Sequence, residues 1–444
     1  MGAMKPLFLG AALLATSSAL AQPPSNSVAW DIVADLTTQV GPRLAGTEAE
    51  ARARDWAKDR LVALGFSNVA VEPFTMRGYV RGEDRASLIA PYPQKLAITA
   101  LGYSGATPAK GIEGELVYFR TLDALKAAPA GSLKGRIAYI DHAMKANQDG
   151  SGYGPYGNVR RQGPAIAAAK GAMATIIRSV GTDSHRNPHA GATSWPEGVK
   201  PIPAGAISNP DADQIARIAA TGKPIRVALT LTGETTDNLP SGNVIADLPG
   251  RDPSLPMILV GCHLDSWDLG TGAIDDASGC AIVTAAALRA QQGGKPLRTI
   301  RVLWAGSEEL GGFGGEAYAQ KHADEPHALA MESDFGADRI WAVKMKLGPE
   351  GDKLGDKIVM ALGPMGIVHA QGEPFAGTDV EPMVERQKLA VIGLRQDGTR
   401  YFDLHHTPDD TLDKIDPAQL EQNVAAWTAV LSIVANEPGA IKGE

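Results

Sequence analysis

Apolar and polar positions along the chain change their period several times, and each change marks an element. SVAWDIVADLTTQV (27–40) and TEAEARARDWAKDRLVALGF (47–66) carry apolar residues three and four apart, the helical period. The second opens on Thr47 as a cap and stops at Gly65. Short strands are expected around VAVEPF (69–74) and KLAITAL (95–101). From Gly111 to Glu234 the rhythm differs. GELVYF, GRIAYID, ATIIRS and PIRVALTLTG read as strands, and PAIAAAKGA and DADQIARIAATG as helices. A long stretch rich in Pro and Gly (181–208) reads as a loop. This block is expected to be a compact domain inserted into another.

From NVIADLPG (243–250) onward, strand and helix alternate. The strands are MILVG, TIRVLWAGS, HALAMES and LAVIGLR; the helices are ASGCAIVTAAALRAQQ, GGEAYAQKHA and, last, PAQLEQNVAAWTAVLSIVAN. Apolar strands between helices predict an α/β fold with a mostly parallel central sheet sandwiched by helices. Ligands of such sheets sit where strand ends open into loops. The expected division is a leader over 1–21, a main domain in two parts (22–110 and 235–444), and the insert over 111–234.

Composition narrows the function. A chain of 444 residues with 44% hydrophobic content suits two or three globular domains. A formal net charge of -8, with no basic run, argues against nucleic acid or an anionic membrane as partner. The start, MGAMKPLFLGAALLATSSALAQPP, has one lysine, a short apolar run and the small-x-small pattern Ala19-Leu20-Ala21. It reads as a secretory signal cut after Ala21, leaving an exported periplasmic or extracellular protein with no membrane segment. The two cysteines, Cys262 and Cys280, exclude a disulfide scaffold. They are expected as two buried small hydrophobes, a single disulfide being the alternative that export permits.

Chemistry gathers at the strand ends. His263 and Asp265 follow MILVG, and Asp275 and Asp276 precede the next helix. Glu308 and Glu309 follow TIRVLWAGS, Glu332 and Asp334 close HALAMES, and His405 and His406 follow GTRYFDL. Carboxylates crowded on one rim raise one another's pKa, and a divalent cation removes that cost. Oxygen and imidazole ligands without thiolate suit zinc, with manganese or cobalt also compatible. Two histidines and several carboxylates are enough for two ions sharing a water. In the pair Glu308-Glu309 one carboxylate can bind metal while the other takes a proton from that water.

Each feature alone has a plain explanation. His-x-Asp is commonly a surface pair, Glu-Glu a solvated face, and Asp276 a helix cap. The glycines of LGTGAIDDASG lack the Lys-Ser/Thr of a phosphate loop. Four such features at successive strand ends of one domain point to a shared site.

GCHLDSWDLGTGAIDDASG, WAGSEELGGFG, AMESDFG and DLHHTPDDTLDKID resemble the dizinc aminopeptidase family, metallopeptidase family twenty-eight. The likeness also takes in GPRLAGT and IIRSVGTDSHRNPHAG. It implies a zinc aminopeptidase fold whose insert is similar to a protease-associated domain. It implies two zinc ions per subunit, held by His263, Asp275 as the bridge, Glu309, Asp334 and His406. Glu308 becomes the general base and acid, and Asp265 and Asp410 orient ligands from behind. His405 stands where relatives place a tyrosine that steadies the oxyanion.

The activity so implied is hydrolysis of the N-terminal peptide bond of dipeptides or short peptides by an exported zinc exopeptidase. The partner is a peptide with a free N-terminus, and the resemblance also implies a homodimer. Glu332 is a candidate to meet the substrate ammonium, and the insert to act as a lid, with dimer contact or protein binding as its other roles. His185 and His189 on the insert's loop invite a third metal site, against which a solvated loop is the plainer reading. Two rivals share the fold: a single-zinc glutaminyl cyclase and a non-catalytic receptor-like module. Retention of every ligand and of Glu308 argues against both.

Overall fold

The computed structural model describes residues 27–444. The expected signal peptide lies outside the described residues. Strands in chain order are β1 (Ser67–Val80), β2 (Asp84–Ala90), β3 (Gln94–Leu96), β4 (Ile98–Ala100), β5 (Ile112–Phe119), β6 (Ile137–Ile140), β7 (Ala174–Arg178) and β8 (Ala204–Ile207). Then follow β9 (Arg226–Leu231), β10 (Glu234–Leu248), β11 (Met257–His263), β12 (Ile300–Ala305), β13 (His327–Glu332), β14 (Ile340–Lys346), β15 (Val368–His369) and β16 (Ala390–Gln396).

They form two eight-stranded sheets. The first runs β1-β10-β12-β11-β13-β16-β14-β15. Its centre, β12-β11-β13-β16, is parallel, while β1, β10 and β14 pair antiparallel to their inner neighbours. The parallel centre agrees with the apolar strands read from the sequence; the antiparallel flanks make the sheet mixed. Successive side chains of a strand face opposite ways. Ile258 and Val260 therefore pack into one core with Ile282 and Trp427, and Leu259 into another with Tyr318 and Met383. Helices Val28–Gln39, Ser278–Ala290 and Pro417–Val434 supply the first face, and Phe313–Lys321 and Glu381–Gln387 the second. Burial on both faces is why β11 and β13 read as unbroken apolar runs.

The second sheet runs β3-β2-β9-β5-β6-β7-β8-β4. The chain leaves the first sheet along β1 and returns along β10, paired from Ser67↔Asp247 to Val80↔Glu234. Everything in the second sheet lies between them. It already includes β2, β3 and β4, ahead of the Gly111 at which the insert was expected to begin. Period-2 patterning marks a strand but not its partner, and β4 finds β8 across more than a hundred residues. Strand β8 itself falls inside the stretch read as loop.

Cys262 and Cys280 form a disulfide, with S–S 2.10 Å and Cα–Cα 5.0 Å. This corrects the expectation of two separate buried thiols. The end of β11 and the following helix lie side by side, so the two Cβ atoms meet. Among the described residues no helix is long and apolar enough to cross a membrane.

Candidate metal centre

The carboxyl ends of β11, β12 and β13 lie within about two residues of one another in register. Gly261 pairs with Glu332, and His263 with Ala305. The residues just beyond these ends converge on one rim. His263, fully buried, places Nε2 3.0 Å from Oδ1 of Asp275 and 3.3 Å from Oδ1 of Asp334. His406 places Nε2 3.0 Å from Oε2 of Glu309 and 3.4 Å from Oδ2 of Asp275. The two oxygens of Asp275 thus face two different histidines. His405 stacks on His406 with ring centroids 3.4 Å apart, but its Nε2 stays 3.7 Å from Asp275.

Groups behind the rim fix this arrangement. Asp265 accepts the backbone N–H of Glu308 at 3.0 Å and of Glu309 at 3.3 Å, and its carbonyl lies 3.0 Å from Nδ1 of His263. Asp410 accepts the N–H groups of Ala273 and Ile274, both at 2.7 Å, in the loop leading to Asp275. Asp276 accepts from Gly279 N–H at 3.0 Å, in keeping with the helix-cap reading, and from His263 N–H at 3.2 Å. Glu332 turns Oε2 to the N–H groups of Asp379 and Val380, which leaves Oε1 buried without a partner.

Charge crowding is severe. Burial, and after it the negative charge of Asp334, pushes Glu308 up to about 7. Burial and then Asp275 hold Glu309 well above the usual carboxylate range. Burial keeps both His405 and His406 neutral, which leaves an imidazole lone pair for a cation. Oδ2 of Asp275 and Oε1 of Glu309 are buried with no hydrogen-bond partner. Buried polar atoms are seldom left so, and these two fit a cation. Ligand atoms of His263, Asp275 and Glu309 lie within 4.8 Å of one another, as do those of Asp275, His405 and His406, and of His263, Asp276 and Asp334. Asp276 already serves two backbone N–H groups, and His406 sits nearer Asp275 than His405 does, with Glu309 at its other side. The donor set of imidazole and carboxylate without thiolate suits zinc. The pair His185 and His189 does not come together on a metal: His185 meets Asp409 at 2.9 Å, and His189 meets Asp183 at 2.7 Å.

A cavity of about 830 Å³ lies over the rim, lined among others by Asp275, Glu308, Glu309, Glu332 and Asp334. Arg160 and Arg161, from helix Tyr153–Ala169 of the inserted unit, also line it, as do Asp149 and Arg395. Sequence reasoning missed these arginines. It also missed Arg43, fully buried, which donates to the carbonyls of Leu264 (2.5 Å), Thr271 (2.7 Å) and Gly272 (2.9 Å). Arg43 thereby braces the loop that carries Asp265 and Asp275. The only sequence signal for it was its place in GPRLAGT.

The pattern that describes peptidase family M28 matches residues 243–431, the span holding every rim residue. Carboxypeptidase Q of Bos taurus is 32% identical over 411 residues, covering 92% of this chain and 85% of the relative. The crystal structure of a peptidase M28 precursor from Shewanella amazonensis is 44% identical, with TM-score 0.91, over 94% of this chain and 95% of that one. A zinc aminopeptidase from Bacillus subtilis shares the fold at TM-score 0.64 and 20% identity, over 95% of this chain and 97% of its own. A rim of convergent acids and histidines, a fold shared along its length and a relative matched from end to end agree: the chain belongs to peptidase family M28 and is a metallopeptidase.

Proposed function

We propose that the chain is an exported zinc exopeptidase that releases the N-terminal residue of dipeptides or short peptides. Asp275 between His263 and His406 carries this reading, because a carboxylate with each oxygen at a different imidazole would suit a site for two cations. His263 and Asp334 would hold one ion, His406 and Glu309 the other, and Asp275 both. Zinc held there would supply polarisation of a carbonyl and a more acidic water.

The chain's own residues do the rest. Glu308 faces the cavity beside these ligands and takes a proton from the attacking water, then returns it to the leaving amine. Asp265 fixes its backbone, and Asp410 fixes the approach to Asp275. Neutral His405, whose Nδ1 has no partner, offers a hydrogen bond to the oxyanion. Glu332, which lines the cavity and whose Oε1 is buried without a partner, is the group assigned to the substrate ammonium. The inserted unit, which resembles a protease-associated domain, walls the cavity as a lid and limits substrate size. The leader over residues 1–21 directs export, and carboxypeptidase Q as the matched relative supports a peptide substrate.

Alanyl-alanine and its N-acetyl derivative, offered to the zinc-loaded protein, test this. The free dipeptide is cleaved, the acetylated one is not, and a chelator abolishes cleavage until zinc is restored. Equal cleavage of both peptides, or cleavage that survives chelation, contradicts the proposal.

A further inference from the structure

The two imidazoles assigned to the ions are braced from different units. Nδ1 of His263 faces the Asp265 carbonyl, within the main domain. His406 is braced by the inserted unit. Its Nδ1 lies 3.2 Å from the Ala190 carbonyl, and its own carbonyl accepts the Ala190 N–H at 2.9 Å. A carbonyl only accepts, so the ring proton sits on Nδ1 and Nε2 keeps its lone pair toward Glu309 and Asp275. Nη1 of Arg160, at 3.4 Å, is the more distant neighbour and donates to the same Ala190 carbonyl. His406 has φ +61°, the left-handed region that residues other than glycine seldom adopt. Such a backbone persists only where its surroundings hold it.

Residues 181–190, between β7 and β8, supply that hold. Thr182 gives its N–H to the Phe402 carbonyl at 3.1 Å and its hydroxyl to Asp403 at 2.6 Å. His185 meets Asp409 at 2.9 Å. With Ala190, these contacts fall before, on and after His406. The segment is in turn tied to its own unit. Asp183 meets the buried His189 at 2.7 Å, and it accepts from Asn209 at 3.1 Å and from the His185 N–H at 2.9 Å. Ser179 accepts the His189 N–H at 2.9 Å. A Cβ on Gly181 would stand 2.1 Å from the His189 ring, so the glycine leaves that ring its place.

We propose that residues 181–190 are a positioning strap for His406, so that docking of the inserted unit sets the affinity of the ion at His406 and leaves that of the ion at His263 alone. This rests on the two-ion reading above and adds a means of regulating it. Loss of a partner behind a metal-ligating histidine typically costs ~10–100-fold in metal affinity. The coupling is reciprocal, so loading that ion tightens the strap.

The test measures both zinc affinities of the full chain by chelator competition, with His406→Gln marking which belongs to the His406 ion. Asp183→Ala and Thr182→Val are expected to weaken that affinity ~10–100-fold and leave the other unchanged. Thr182→Ser, which keeps the hydroxyl, restores it. Leu229→Ala, in the core of the inserted sheet on a strand that pairs with neither β7 nor β8, melts lower yet keeps both affinities. Hydrogen exchange over 181–190 slows when the His406 ion loads. Thermal melts check each variant, and Thr182→Val, half-buried, carries the test if Asp183→Ala unfolds. Equal weakening of both ions, parental affinities in the folded strap variants, or loss of the His406 ion in Leu229→Ala overturns the inference. So does exchange over 181–190 that ignores that ion. A parent that binds one ion contradicts the two-ion reading instead; the strap then stands if Thr182→Val weakens that ion and falls if it does not.

Discussion

The carboxylate of Asp265 accepts the backbone N–H of Glu308 at 3.0 Å, and its other oxygen accepts that of Glu309 at 3.3 Å. One buried side chain thus sets the position of two glutamates to which different work is assigned. Asp265→Asn keeps the shape but turns an N–H₂ group toward one of those backbone donors. Loss of such a supporting partner typically costs ~10–100-fold in activity or metal affinity. Steady-state kinetics with zinc titration should show a fall of that size in kcat, with KM changing less.

The disulfide joins the last turn of β11 to the helix after Asp275, closing a loop of 18 residues in sequence separation. A loop of this size is worth ~3 kcal/mol in the chain-entropy account. Cys262→Ser with Cys280→Ser should lower the unfolding free energy by about that amount in urea titrations. The unsubstituted protein treated with reductant under unfolding conditions should lose a similar amount.

Gly279 has no room for a side chain. A Cβ there would stand 1.9 Å from the Ser333 carbonyl oxygen and 2.2 Å from Oδ1 of Asp276. Gly279→Ala must therefore push apart the segments that carry Asp334 and Asp275. Overpacking of this kind costs ~1–3 kcal/mol. The variant should melt at lower temperature and retain less zinc after dialysis than the parent.

His322 lies away from the metal rim, between Glu325 at 2.8 Å and Glu72 at 3.0 Å. Burial lowers its pKa, but the bonds to Glu72 and Glu325 outweigh burial and raise it above 6.5. A raised histidine pKa stabilises the fold fully below the unfolded-state value and ceases to do so as pH climbs through the folded-state value. The stability gap between the parent and His322→Gln, of order 1 kcal/mol, should be widest near pH 6 and shrink by pH 9. A gap that widens at alkaline pH would show that His322 is held neutral.

Much of the site was legible because its residues stand at the ends of unbroken apolar strands. His263, Glu308 and Asp334 each end or follow a buried run, and the α/β rhythm sends such ends to one rim. The cap role of Asp276 was readable from its place just before a helix. What local pattern could not show was long-range pairing. KLAITAL read as strand, yet nothing in it says that Ile98 pairs with Ile207 and so joins the inserted sheet. Arg160 and Arg161 lie in a stretch, GNVRRQGPAI, whose helix meets the rim only through the packing of the inserted unit against it. The cysteines were expected as two separate buried residues, and the disulfide overturns this because spacing of 18 residues says nothing about where the two Cβ atoms point.

The central claim is a two-ion site bridged by Asp275 with Glu308 as its base. Native mass spectrometry of the purified chain, alongside Glu308→Gln and with dipeptide hydrolysis read on the same samples, tests it most directly. The account predicts two zinc ions on both proteins, with activity in the parent alone. A single zinc on the parent, or hydrolysis that persists in Glu308→Gln, would contradict it.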